Sequence, residues 1–155
     1  MAVEIRVLSD KQLGSIAEWQ AAIDGEGYPL RLSQETPFES LSGFLPAHLR
    51  QEPTGFVCYH DTAAELIGEY SDIDFGHDWR FLLGFRFGLN PGELLAAWMA
   101  AAAYARATGG VLFDDQDAKV RNADEARVAV QEIERDLPKL EEDIRRYKQQ
   151  LSNSS

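Results

Sequence analysis

Trp79-Arg80-Phe81-Leu82-Leu83-Gly84-Phe85-Arg86-Phe87 is the stretch that decides the fold class. Successive side chains of a strand point to opposite faces, so Trp79, Phe81, Leu83, Phe85 and Phe87 line one face and Arg80, Leu82, Gly84 and Arg86 the other. That pattern predicts a strand over 79–87 with its aromatic side on a core. Asn90-Pro91-Gly92-Glu93 follows and reads as a helix start. Asn suits the N-cap, Pro the first helical position, and Glu the third, from which it reaches back to the N-cap amide. The helix carries Leu94, Leu95, Trp98, Met99 and Tyr104 and stops at Gly109-Gly110. Its alanines permit close packing on a sheet, and 111–113 supplies a short strand.

Upstream, Val3, Ile5 and Val7 alternate with Glu4 and Arg6, the period of a half-buried strand. Ser9 with Gln12 has the spacing of a capping box, predicting a helix whose apolar face is Leu13, Ile16, Trp19 and Ile23. Gly25 and Gly27 close it, and Tyr28, Leu30 and Leu32 alternate into a second strand. Residues 1–33 thus read as a β-α-β unit. Pro37, Pro46 and Pro53 break the next stretch, which Phe38, Leu41, Phe44, Leu45 and Leu49 are expected to pin to the core. Residues 55–60 read as a strand, followed by a short helix capped by Thr62 and Glu65. Two β-α-β units with a strand between them predict an α+β, ferredoxin-like two-layer sandwich, its mixed or antiparallel sheet covered by helices on one face. Glu4, Arg6, Arg31, Arg80 and Arg86 then share the open face. Guanidinium groups there suit carboxylate or phosphate ligands, or pair with neighbouring acids.

From Asn122, which forms a capping box with Glu125, a long helix is predicted over 122–151. Val130, Ile133, Leu137, Leu140, Ile144, Tyr147 and Leu151 recur at alternating steps of three and four, a heptad seam. Pro138 lies at an outward position and predicts a kink there. Such a seam packs on its own domain, on a partner, or on a second copy in a homodimer. Asp136 and Glu141 would face each other in a parallel pair, so an antiparallel one is preferred.

The chain has 155 residues and is expected to form a single domain over 1–155. Its 26 acidic against 15 basic residues give a net charge of −11. That balance disfavours nucleic acid, whose phosphates require Lys and Arg, and speeds association with a basic partner. No apolar run approaches the ~20 residues that cross a bilayer. Glu4, Arg6 and Asp10 are unlike a secretory leader, and the lone Cys58 allows no internal disulfide. A cytoplasmic location is expected.

No Lys or Arg occurs between Arg50 and Arg80, while Glu52, Asp61, Glu65, Glu69, Asp72, Asp74 and Asp78 do. Like charges this dense are offset by solvent, a metal ion or a basic partner. Asp61, Glu65, Glu69, Asp72, Asp74 and Asp78 form the candidate partner-binding surface. Asp72-Ile73-Asp74 has the paired acids of metal-dependent glycosyl transfer, without an accompanying phosphate-binding loop. Asp114, Asp115 and Asp117 either hold Mg²⁺ with a phosphate substrate or cap a turn. An EF-hand starting at Asp115 fails, because Val120 and Ala126 stand where Gly and Glu are required. Cys58 and His60 share a strand face, but at ~6.5–7 Å along the backbone they are too far apart for a nucleophile and its base. His77 beside Asp78 is a second acid–base pairing to consider. His48, His60 and His77 lack metal-ligand spacing, and no nucleophile elbow, P-loop or dinucleotide fingerprint occurs. No catalytic residue, metal or cofactor is assigned.

Thr108-Gly109-Gly110-Val111-Leu112-Phe113-Asp114-Asp115-Gln116-Asp117, after the Ala-rich helix, resembles a segment of small bacterial proteins that include immunity proteins. The likeness spans about residues 79–125. It implies a cytoplasmic protein that binds a cognate secreted antibacterial toxin and blocks its active site, with no catalytic residues of its own. Two other classes stay open. One is a small enzyme or ligand-binding domain using the open sheet face or the acids at 114–117. The other is an oligomeric accessory protein built on the heptads.

Overall fold

In the computed structural model, residues 3–88 and 90–153 are described, so the outermost residues of the expected 1–155 domain lie outside the described region. Strand β1 (Val3–Ser9) runs between β5 (Phe81–Phe87) and β6 (Val111–Asp114). Beyond β5 follow β4 (Glu52–Thr62), β3 (Ser42–Leu49) and β2 (Leu30–Leu32), and beyond β6 lies β7 (Lys119–Arg121). The sheet therefore has seven strands in the order β2-β3-β4-β5-β1-β6-β7, antiparallel at every pairing. The fold is α+β, with a larger sheet than expected.

The proline-broken stretch contributes β3. Pro46 is tolerated because β2 pairs only with Ala47, His48 and Leu49, leaving the edge beside Pro46 nearly free. Ser33 N–H donates to the Pro46 carbonyl there at 2.9 Å. Phe38, Leu41, Leu45 and Leu49 are buried as expected, whereas Phe44 is exposed, lying over Gly55 on the other side of the sheet. The strand expected over 79–87 starts at Phe81, and Trp79 instead turns its indole N–H to the Phe75 carbonyl at 2.9 Å.

Helix α1 (Ile16–Gly25) starts later than the Ser9 pattern predicts. β1 extends to Ser9, and Ser15 is the N-cap, its hydroxyl accepting from Glu18 N–H at 3.1 Å. Helix α3 (Pro91–Thr108) opens at Asn90, whose side chain accepts from the amides of Gly92 and Glu93, and closes at the left-handed Gly109. Every residue from Leu95 to Ala105 is buried. Trp19 of α1 donates its indole N–H to the Ala100 carbonyl at 3.0 Å and sets its ring edge-on to Phe38, Phe85 and Tyr104. Small residues on α3 let the backbone come this close, and the indole satisfies its polar atom inside the core.

Helix α4 (Ala123–Asn153) opens with the expected reciprocal cap between Asn122 and Glu125. It buries Ala126 and Val130 and half-buries Ile133 and Leu137 against the main core, then continues through Pro138. The helices do not all lie on one face. α1, α3 and the first half of α4 cover the side bearing Ile5, Val7, Phe56, Cys58 and Phe85. Helix α2 (Ala63–Glu69) and the segment after it cover part of the opposite side, where Ala63, Leu66 and Phe75 pack on Leu8, Leu82 and Phe113. The cause is the apolar Leu8, Leu82 and Phe113 among outward positions that otherwise carry polar groups.

Candidate docking surface

The second face of the sheet has a closed part and an open part. In the closed part, Glu4 is held between two arginines. Arg6 bonds Glu4 and Asp115, and Arg86 donates to Glu4 Oε1 from Nε and Nη2 at 2.9 and 2.7 Å. The Tyr59 hydroxyl donates to the same oxygen at 3.3 Å. The Tyr59 ring lies flat on Gly84, where an added Cβ would stand 2.2 Å from Cζ. Burial raises the Tyr59 phenol above its ordinary value, keeping it a donor. These arginines are engaged by the protein's own carboxylates. Of the other two expected on this face, Arg31 sits on the edge strand β2 and Arg80 precedes β5 with its guanidinium over the Phe81 ring.

The acids at 114–117 are likewise engaged. Asp114 is buried, accepts from Gln116 N–H at 3.0 Å and pairs with Arg121 at 3.2 Å. Asp115 pairs with Arg6, and Asp117 lies 3.6 Å from Arg121. They form the turn of the β6–β7 hairpin and its ion pairs. Arg121 also stands over the Trp98 ring, in a cleft of about 340 Å³ between α3, α4 and this hairpin.

Cys58 is fully buried, and burial drives its thiol well above the ordinary range. His60 directs Nε2 to the Phe38 carbonyl at 2.8 Å. His77 pairs with Asp10 at 2.6 Å, so its carboxylate partner is not the adjacent Asp78. Among the described residues no three His, Cys, Asp or Glu side chains converge as metal ligands.

The open part belongs to α2 and the segment 70–79. Because Ala63 and Leu66 face the sheet, Glu65 and Glu69, one turn apart, face away from it. Asp61 stands at the mouth of α2 and accepts from Thr62 N–H at 2.8 Å. Asp74 accepts from Gly76 N–H at 2.8 Å in a local turn that the positive φ of Gly76, +84°, permits. Phe75 and Tyr70 anchor this segment with their rings on Phe113, at 5.2 and 4.9 Å between centroids. All of Asp61, Glu65, Glu69, Asp72, Asp74 and Asp78 are exposed, and none is in an ion pair among the described residues. Between Asp74, His77 and Asp78 opens a hollow of about 370 Å³ floored by Ile67, Ile73 and Phe75. A smaller polar hollow of about 70 Å³ separates Arg6 and Tyr59 from Glu65 and Glu69. The charge gap between Arg50 and Arg80 points to these acids, but nothing in the sequence marks the hollow beside them or the Tyr59–Gly84 contact.

The seam residues divide. Val130 is buried, Ile133, Leu137, Leu140 and Ile144 are half-buried, and Tyr147 is exposed. No helix among the described residues is long and apolar enough to cross a membrane. No family model, curated protein or solved structure matches the chain.

Proposed function

We propose that this protein acts by binding, as an immunity-type protein whose acidic surface docks on a basic protein toxin in the cytoplasm and covers its active site. One observation carries this reading. Six carboxylates gather at the end of β4, on α2 and on the segment after it, all exposed and, among the described residues, without an ion pair. Elsewhere in the molecule, arginines are placed on Glu4, Glu26, Asp114 and Asp115. Uncompensated like charge lowers stability, and it raises the association rate with a surface of opposite charge. The hollow lined by Ile67, Ile73, Asp74, His77 and Asp78 offers a partner a concave contact of mixed polar and apolar character.

Co-expression with the product of the adjacent reading frame tests the reading. Protection of the host cell is expected from the native chain. It is expected to be lost when Glu65, Glu69, Asp72 and Asp74 are all changed to Lys, with the folded state intact. Equal protection by both proteins would remove this surface from the function.

A ferredoxin-like sandwich as the architectural centre is part of the same proposal. Its support is the run β4-β5-β1-β6, in which α1 follows β1, α3 follows β5, and both helices pack on one face. A split β-α-β unit has this order, which supports the reading, with β2, β3 and β7 as additions at the edges.

A further inference from the structure

We propose that the outer half of α4 is a self-association helix that pairs with a second copy of this chain in antiparallel orientation. The proposal is independent of the docking surface on α2. α4 has 31 residues, a length of about 46 Å; its contacts with the main core run to Leu137, and Leu140 borders the cleft beside Leu94 and Trp98. From Glu141 to Asn153 every residue except Ile144 is exposed. The apolar seam nevertheless keeps its heptad spacing through Leu140, Ile144, Tyr147 and Leu151, with Tyr147 and Leu151 each 56% exposed. A helix that needed only its own domain would have no use for a seam at these positions.

Charge selects the occupant and its direction. A two-fold axis between Arg145 and Arg146 sets Leu140 against the partner's Leu151 and Ile144 against the partner's Tyr147. In that register the flanking positions bring Glu141 to the partner's Lys148, and the symmetry repeats the pair. Asp143 meets the neutral partner's Gln150, so no like charges oppose. The partner's Asn153 falls opposite Pro138, so the pairing spans the stretch that emerges from the domain and ends where α4 meets its own core. A parallel pair instead sets Asp136 against the partner's Glu141, which repels. Pro138 lies on the outward side in either arrangement and does not interrupt the seam.

Sedimentation velocity on the full chain over a concentration series tests this, with Glu141→Lys, Lys148→Glu and the double variant. Both side chains are exposed, so the folded state should persist, checked by circular dichroism. The native chain is expected to dimerise. Each single reversal should weaken dimerisation by about tenfold, since it replaces two attractions with two repulsions, and the double variant should restore it. In a parallel pair, Glu141→Lys would gain Asp136 as a partner and tighten the dimer. A native chain monomeric throughout the series overturns the proposal. A Glu141→Lys dimer as tight as the native one, or a double variant that fails to recover, overturns it as well.

Discussion

Glu26 and Glu65 carry the same carboxylate in opposite circumstances. Glu26, just past α1, has an almost buried side chain gripped by Arg106 of α3 and Arg127 of α4, so one charge ties three helices together. Arg106 reaches on to Asp124 at 2.8 Å. Glu65 stands exposed on α2, across a small polar hollow from Arg6, and among the described residues it forms no ion pair, nor do Glu69, Asp72 and Asp78. Where this molecule uses acids to hold itself together, it supplies arginines. Over 61–78 it supplies none. The difference separates charge that is neutralised within the fold from charge that faces solvent.

The sharpest break in that comparison would come from identical chemistry in the two regions. Glu26→Gln removes the shared anion and leaves two facing guanidinium groups, and should cost about 2–3 kcal/mol in urea denaturation. Equal loss from Glu65→Gln would erase the distinction. Next, Gly84→Ala pushes a methyl into the Tyr59 ring that shields Glu4, and should cost about 1–3 kcal/mol. Comparable loss from Gly68→Ala on α2, where nothing lies within 4 Å of an added Cβ, would show that the closed face is no tighter than the open one.

The helix-covered side of the sheet is tested through Cys58. Its folded thiol is raised by burial above the ordinary value of 9.0, so the neutral form is the one that the fold favours. That stabilisation is complete below pH 9.0 and is lost as pH rises, by up to about 1.4 kcal/mol per unit above that value, until the folded thiol itself ionises. Alkaline unfolding of the native chain compared with Cys58→Ala reads this slope, and equal slopes would place the thiol in contact with water. The smallest effect belongs to the acids on α2. Glu65→Gln and Glu69→Gln should each shift stability by no more than about 0.5 kcal/mol, with any change in the stabilising direction as self-repulsion falls.

Much of the helical structure was legible in the sequence because its signals are local. Asn122 and Glu125 lie three residues apart and cap each other, and Asn90 caps α3 as expected, although Glu93 accepts from Gly88 N–H and not from Asn90; the heptads of α4 repeat within one element. Strand order was not legible. β1 pairs with β5 across nearly eighty residues, as Ile5 does with Phe85, and no local pattern encodes that meeting. Ser9 misled because its pairing with Phe81 keeps it in β1, and Ser15 caps α1 in its place. Of the candidate site, the charge gap between Arg50 and Arg80 was visible. Its meaning depended on where arginines fall in three dimensions. Asp115 looks as free as Asp72 in the sequence, yet Arg6, more than a hundred residues away, neutralises it. The hollow over Ile67, Ile73 and Phe75 exists because Phe75 packs on Phe113 of β6, again a contact between distant segments.

The central claim is that the carboxylates of 61–78 are a steering surface for a basic protein. The most direct test is stopped-flow association with the protein product of the adjacent reading frame, over a range of salt concentrations. The native protein should associate fast at low salt and slow steeply as salt rises, and the variant with Glu65, Glu69, Asp72 and Asp74 changed to Lys should lose both the speed and the salt dependence. An association rate that neither salt nor those four substitutions change would contradict the account.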